Sequence, residues 1–288
     1  MTDKHADAII TEIKEFVRQS PLNRLPPAAA GPIFDEPLVQ FADGADPLFQ
    51  EYKTIIGDTH LTPREALAQI TGKTPEELPE RLTVISWILP ITKKTRLTNR
   101  TETLRPSRPW SHTRWYGEVF NDALRRHVVA YLTGRGCLAA APALPGHLKI
   151  FTDAGNIRSS WSERHIAYAA GLGTFSLSDG FITERGIAHR CGSVITGLAI
   201  PASPRAAAGP YANCLLYVKE KCGVCIERCP AQAISEKGHD KTRCSGYLHK
   251  IGYHTTGEYD LDISVFGCGL CQTKVPCESV NPTRQLKK

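Results

Sequence analysis

The sequence predicts an α+β protein that carries a cysteine-rich module towards its C-terminal end. Apolar residues recur at helical spacing in several segments, and residues 83–89 form the β-branched, apolar run typical of a buried strand. Eight of the ten cysteines lie between Cys214 and Cys277, which sets this part of the chain apart. A chain of 288 residues is long enough for one large domain joined to a small module.

The N-terminal part contains two predicted helices. Residues 6–18 place Ile9, Ile13 and Val17 on one face between charged positions, which predicts an amphipathic helix packed on the core. Another helix is predicted to begin after Thr62, because Thr62 is a suitable N-cap and Glu65 can close a capping box.

The middle of the chain begins with the predicted strand, which Pro90 ends. Residues 93–115 are polar and basic and include Trp110 and Trp115, so a long loop is predicted there. Basic residues among aromatic ones suit a phosphate-bearing or planar ligand, and a solvated loop anchored by its tryptophans is the alternative.

The second half alternates predicted helices and strands. Residues 116–133 form the clearest helix, with an inner face that includes Val119, Leu124 and Val128. The other predictions are a short strand at 137–143, a helix at 161–170 and strands at 181–183 and 193–200. Residues 201–210 are rich in Pro, Ala and Ser, which predicts a linker and a domain boundary.

Composition limits the classes of protein that fit. Hydrophobic residues make up 41% of the chain, which favours a folded protein over a disordered one. The net charge of +6 is dispersed, and no apolar run approaches the length of a membrane span, so no membrane partner is expected. The N-terminus shows neither a secretion signal nor a twin-arginine pair, which predicts a cytoplasmic, reducing setting.

The cysteine spacing predicts two [4Fe–4S] clusters. Two Cys-x-x-Cys units each bring two thiolates to one side of a turn, and the Cys-Pro at Cys229 supplies a sulfur to the other cluster in two-cluster ferredoxins. We assign the eight cysteines to two sets. The first set is Cys214, Cys222, Cys225 and Cys277, and the second set is Cys229, Cys244, Cys268 and Cys271.

One feature departs from the usual ferredoxin run. Arg228 stands where a third cysteine is expected, so Cys214 is assigned as the replacement ligand and is the least secure of the eight. Structural zinc and disulfides are the alternatives, and the Cys-Pro unit with the extra spaced cysteines fits clusters better than either.

A second group of motifs precedes the cysteines. Ser162-Glu163-Arg164, Ala170-Gly171-Leu172-Gly173 and Gly192-Ser193-Val194 follow one another and lead into the cysteine pattern. In this order they resemble the epoxyqueuosine reductase and reductive dehalogenase superfamily over roughly residues 83–281.

The resemblance implies a nitroreductase-like core that binds cobalamin and a ferredoxin-like module that delivers electrons to cobalt. It divides the chain into residues 1–82 (a helical and extended region), 83–205 (the cobalamin-binding core) and 206–288 (the two-cluster module). It implies Asp153 as the catalytic proton donor. The residues that it implies for cobalamin are Arg164, Gly171, Leu172, Gly173 and Ser193.

The function expected on this basis is a reductase that takes electrons from an external ferredoxin or flavodoxin. A small molecule or a modified nucleoside is the expected substrate. The chain ends at Lys288 with only a short basic tail, where those reductases continue into a region used on tRNA, and this weakens the expectation of a tRNA substrate. The alternative is an electron-transfer or corrinoid-handling protein that does not itself convert a substrate.

Overall fold

The computed structural model describes residues 4–25, 31–153, 156–261 and 267–284. The helices are α1 (Lys4–Gln19), α2 (Leu48–Ile55), α3 (Pro63–Thr71), α4 (Lys93–Arg100), α5 (Arg108–Thr133), α6 (Glu163–Ala169), α7 (Leu215–Lys219), α8 (Val224–Glu227) and α9 (Lys241–Tyr259). The strands are β1 (Leu38–Asp43), β2 (Thr83–Pro90), β3 (Ala139–Ala140), β4 (Ile150–Asp153), β5 (Asn156–Ser159), β6 (Gly173–Phe175), β7 (Phe181–Thr183), β8 (His189–Thr196), β9 (Ile234–Ser235) and β10 (Gly238–His239). Helices and strands are mixed along the chain, as predicted.

A four-stranded sheet in the order β1-β2-β8-β3 forms the centre of the fold. Each neighbouring pair in it is antiparallel, and the register places Ser86 opposite Ser193. Every residue of β2 is buried, because helices cover both faces of the sheet. The buried strand predicted at 83–89 is confirmed.

Helices α1 and α5 cover one face of this sheet. Ile9, Ile13 and Val17 of α1 are buried against α5, in the same apolar cluster as Trp87 of β2 and Phe120 of α5. The predicted amphipathic helix at 6–18 is therefore confirmed, since its apolar stripe is the face that packs.

Helices α2, α3 and α6 cover the opposite face. Phe49 and Leu67 pack there with Trp161 and with Ile88 of β2. The predicted capping box is present at the start of α3: Thr62 accepts a hydrogen bond from the Glu65 backbone, and the Glu65 side chain accepts one from Thr62 N–H at 2.8 Å. These two bonds satisfy amide groups that a helix start leaves without partners.

The loop predicted at 93–115 is wrong. The segment contains α4 and the first turns of α5, whose N-cap is Ser107; the Ser107 hydroxyl accepts a hydrogen bond from Trp110 N–H. Helix α4 buries Thr95 and Asn99 rather than apolar residues, so it lacks the apolar periodicity by which helices are read from sequence.

Two further predictions need correction. Leu124 and Val128 of the predicted inner face of α5 are buried, but Val119 is 43% exposed and lies off that face, next to the buried Phe120. Strand β1 lies in a segment for which no regular structure was predicted. It is a strand because its backbone pairs with β2, which its own sequence pattern does not indicate. The boundary at residues 201–210 stays a prediction; Ser203 there donates its N–H to Phe41 O at 2.8 Å.

Candidate functional site

Short helices and turns position the eight cysteines of the two predicted sets. Cys214 is the N-cap of α7, Cys225 lies in α8, and Cys244 lies in α9. Cys268 and Cys271 flank Gly269, where the backbone turns through the left-handed region. Apart from α9, these helices are only four or five residues long.

The first set comes together around one small cavity. Cys214, Cys222, Cys225 and Cys277 all line it, and Cys271 of the second set borders it. Leu177, Ile182 and Val275 form apolar walls around these thiols.

The second set is also close in space. Burial raises the pKa of the Cys268 thiol to about 12, and the neighbouring Cys229 and Cys244 thiols contribute to the rise. Burial and the Cys268 and Cys244 thiols raise the pKa of Cys271 in the same way. Cys271 also neighbours Cys225 of the first set, so it lies where the two predicted sets meet.

This donor set fits an iron–sulfur cluster chemically. Within the described ranges, no three His, Cys, Asp or Glu side chains lie close enough together to hold a single metal ion. The thiols are buried and near one another, so forming several thiolates there without a cation costs free energy. A bound cationic group of iron atoms would remove that cost, since the thiolate is the metal-binding form of cysteine.

Arg228, which stands where a third cysteine was expected, binds backbone carbonyl groups. Its guanidinium donates to Leu270 O at 3.3 Å and Thr273 O at 3.1 Å, beside the Cys268–Cys271 turn. It also donates to Glu102 O at 2.8 Å, which ties this turn to the segment after α4. Nearby, Ala233 N–H donates to Cys229 Sγ at 3.3 Å, a bond that would stabilise a thiolate.

Glu278 ties the first thiol set to the core. Its side chain is almost fully buried and accepts hydrogen bonds from Arg96 Nη1 at 3.1 Å and from Arg100 Nε at 2.7 Å. It also accepts from Lys274 N–H at 2.7 Å. Since Cys277 precedes it directly, Glu278 holds this cysteine against α4.

The residues predicted for cobalamin do not gather in one place. Gly171, Leu172 and Gly173 line a cavity of about 980 Å³ that also reaches Asn213, next to Cys214. A Cβ on Gly171 would lie 2.7 Å from Pro204 O, and one on Gly173 would lie 2.2 Å from Ile182 O. Close packing against these backbone oxygens therefore accounts for a glycine at both positions, and a bound corrin is not needed to explain them.

Arg164 lies at a different cavity, of about 660 Å³, between α5, α6, β8 and the β4–β5 hairpin. Ser193 is fully buried beside it; its hydroxyl accepts from Trp161 Nε1 at 2.9 Å and donates to Glu163 Oε2 at 2.6 Å. Asp153 ends β4 and pairs with Asn156, but its side chain lies outside the described residues. The prediction that Asp153 donates a proton is untested.

The charged lining of this second cavity was missed from the sequence. Arg125 of α5 is buried and donates to Glu118 at 2.8 Å, Asp122 at 2.7 Å and Glu163 at 3.0 Å. Burial raises the pKa of Glu163, although Arg125 opposes that effect. The i, i+4 and i, i+3 spacing of opposite charges on α5 could have indicated ion pairs from the sequence. The charged residues that α6 and β8 add to this cavity could not have been found in that way.

Comparisons with known proteins were made with these features in place. No family model matches the chain, and no curated protein matches it. Solved structures of epoxyqueuosine reductase are similar to it, one from selenomethionine-labelled protein and one with an epoxyqueuosine-modified tRNA-Tyr stem loop. Both are structures of a reductase, and it is the protein that the sequence motifs resemble.

The similarity spans most of this chain at low identity. The two structures share 17% and 18% of residues with it, at a TM-score of 0.48 each, and the matches cover 95% and 94% of this chain. They cover 66% and 64% of the solved chains, so the present chain corresponds to somewhat less than two thirds of their length. Among the described residues, no helix combines the length and apolar character needed to cross a bilayer.

Proposed function

We propose that the chain is a reductase that holds two [4Fe–4S] clusters, one in each thiol set, and passes electrons to a ligand in the 660 Å³ cavity that Gln272 lines. The observation that supports this proposal is that Cys214, Cys222, Cys225 and Cys277 line one cavity, while Cys229 and Cys244 lie near Cys268, and Cys271 neighbours both groups. Each set takes ligands from segments more than twenty residues apart, so the sets depend on the fold as well as on local spacing.

Bound clusters would supply one-electron transfer at low potential. The residues around them would hold and shield them. Leu177, Ile187 and Val275 form an apolar wall that keeps water from the first set, and Ala233 N–H donates to a sulfur of the second. Gln272, which follows Cys271, lines the 660 Å³ cavity and so brings the second set close to it.

The proposed proton source is Asp153, as predicted from the sequence, on the hairpin whose residues Ile150 and Ser159 line the same cavity. The electron donor is proposed to be an external ferredoxin or flavodoxin, and the substrate a small molecule or a modified nucleoside. Cobalamin remains a prediction from the sequence resemblance. Because the residues predicted for it lie in two cavities, we derive no step through it.

Cluster binding is tested by single substitutions in protein prepared without air. Cys225→Ser and Cys268→Ser should each lose about half of the bound iron and acid-labile sulfide, since each removes a ligand of a different four-cysteine set. Cys137→Ser is the matched control, because Cys137 lies outside both sets, and it should keep the full content. Wild-type protein that stays colourless and shows no EPR signal after dithionite treatment would overturn the proposal.

Cobalamin and turnover are tested separately. Free cobalamin titrated into the air-free protein should change its corrin spectrum on binding, and an unchanged spectrum at micromolar excess contradicts the prediction. Asp153→Ala should abolish substrate reduction and leave iron content unchanged. If electron transfer to an artificial acceptor is the only activity and Asp153→Ala does not alter it, the protein is an electron carrier rather than a reductase.

A further inference from the structure

The 660 Å³ cavity has an unusual charge balance. Four arginines line it, namely Arg114 and Arg125 of α5, Arg164 of α6 and Arg190 of β8. Three carboxylates line it as well, namely Glu118, Asp122 and Glu163, and His189 and Cys191 complete the set of titratable groups. Burial lowers the pKa of His189 to about 4, so it is neutral at pH 7. Four positive charges against three negative ones leave the lining cationic.

The negative charges are not shared equally among these arginines. Arg125 takes the short contacts, with all three carboxylates within 3.0 Å. Arg114 and Arg190 both face the same oxygen, Glu118 Oε2, at 3.7 Å each. That distance exceeds a hydrogen bond. Two guanidinium groups therefore depend on one carboxylate oxygen that neither of them binds closely.

Arg190 has little else to bind within the described part of the chain. Its Nη2 donates to Arg114 O at 3.3 Å, which is the one hydrogen bond that its guanidinium makes among those residues. A guanidinium carries five N–H donors in a fixed fork that matches a carboxylate or a phosphate. Its side chain is about one-fifth exposed, through the cavity, so a ligand can reach it.

We propose that this cavity binds an anionic ligand, whose carboxylate or phosphate group is held by Arg190 together with Arg114. This deepens the proposed function, on which it rests, by naming the chemical class of the substrate. Arg164 at the exposed rim adds to the attraction, and the uncharged remainder of the ligand lies towards Gln272 and Cys271.

The electrostatics of the cavity agree with this arrangement. Burial, followed by the charge of Arg114, lowers the pKa of Arg190 to about 9. The free protein thus bears the cost of two like charges close together in a poorly solvated place. An anion between them removes that cost, and the interaction is stronger than on an open surface because the Arg190 side chain is largely buried.

The test is calorimetric titration of the full chain, with its clusters reconstituted without air, at low ionic strength. Inorganic phosphate is the probe for one anion type and malonate for the other. The wild-type protein should bind at least one of them, and the preferred probe identifies the anion type. Arg190→Gln should weaken that binding at least tenfold, as expected for the loss of a charge-assisted fork, and Arg190→Lys should be intermediate.

Two further variants make the result specific. Arg185→Gln is the matched control, because Arg185 pairs with Asp35 at 3.7 Å away from the cavity and should bind the anion as the wild type does. Arg114→Gln is a second variant of the site, and it should also weaken binding, even if Arg190→Gln folds poorly. Failure of both probes to bind the wild type, or equal binding by wild type and Arg114→Gln, overturns the inference.

The two proposals fail in distinguishable ways. Iron content and EPR signals test the cluster proposal without any added anion. If the protein carries both clusters but binds neither phosphate nor malonate, only the proposal of an anion site is refuted. Protein that binds an anion through Arg190 but never holds iron keeps the site and removes the reductase function.

Discussion

Replacing Gly269 by alanine should damage the second thiol set selectively. Gly269 lies between Cys268 and Cys271 and has φ +62°, a conformation that side chains rarely adopt. A Cβ there would lie 2.1 Å from Trp110 Cε2, well inside van der Waals contact. Trp110 is buried at the start of α5 and cannot move aside without opening the core.

The magnitude follows from two costs. A non-glycine residue in the left-handed region costs about 1–2 kcal/mol. Inserting a methyl group into a packed site adds about 1–3 kcal/mol, and alanine recovers up to about 1 kcal/mol by restricting the unfolded chain. The net loss of stability is therefore about 1–5 kcal/mol, which at about 2–4 °C per kcal/mol corresponds to a fall in Tm of roughly 2–20 °C.

Thermal unfolding and iron analysis of air-free protein would measure both effects. Gly269→Ala should lose about half of the iron, because the turn that presents Cys268 and Cys271 no longer fits against Trp110. Gly246→Ala is the control: it lies two residues from Cys244, nothing lies within 4 Å of its Cβ position, and it should keep both iron and stability. If the two variants behave alike, the reasoning from Trp110 is refuted.

Three other predictions follow from buried contacts. Glu278→Gln should cost about 2–3 kcal/mol in chemical denaturation, because it leaves the buried end of Arg96 without its carboxylate, whereas Glu184→Gln in an exposed pair should change stability by less than about 0.5 kcal/mol. Burial lowers the pKa of His60 to about 4, so the folded state binds this proton only at a lower pH than the unfolded state does. The free energy of unfolding should therefore fall by up to about 3 kcal/mol as the pH drops from 6.5 to 4. Chemical denaturation of His60→Gln across that pH range should show a smaller fall. Gly173→Ala should lower Tm without any cobalamin present, since its Cβ would meet Ile182 O; an unchanged Tm would favour a ligand as the reason for the glycine.

Local signals in the sequence were sufficient for several parts of the fold. The apolar stripe of α1, the capping box of α3 and the buried strand β2 each depend on residues a few positions apart, and all three are present. The grouping of the cysteines is likewise a prediction from spacing, because Cys-x-x-Cys fixes two thiols on one turn and the Cys-Pro unit directs the third elsewhere.

Helix α4 and the charged cavity could not be read in this way. Thr95 and Asn99 of α4 are buried, and Asn99 donates to Cys268 O and to Thr273 Oγ1, more than 160 residues away. Arg190 meets Glu118 and Arg114 only because β8 lies against α5.

The sequence by itself determined where the thiols are along the chain and which elements have a clear period, and it predicted a division of the thiols into two sets. Only the tertiary structure decided which charges share a cavity, which glycines face the backbone of another segment, and that the residues predicted for cobalamin lie in two places. The physical reason is that periodicity and spacing record contacts along one element. The role of a charged side chain, or of a glycine without a Cβ, depends on a partner that folding brings from far along the chain.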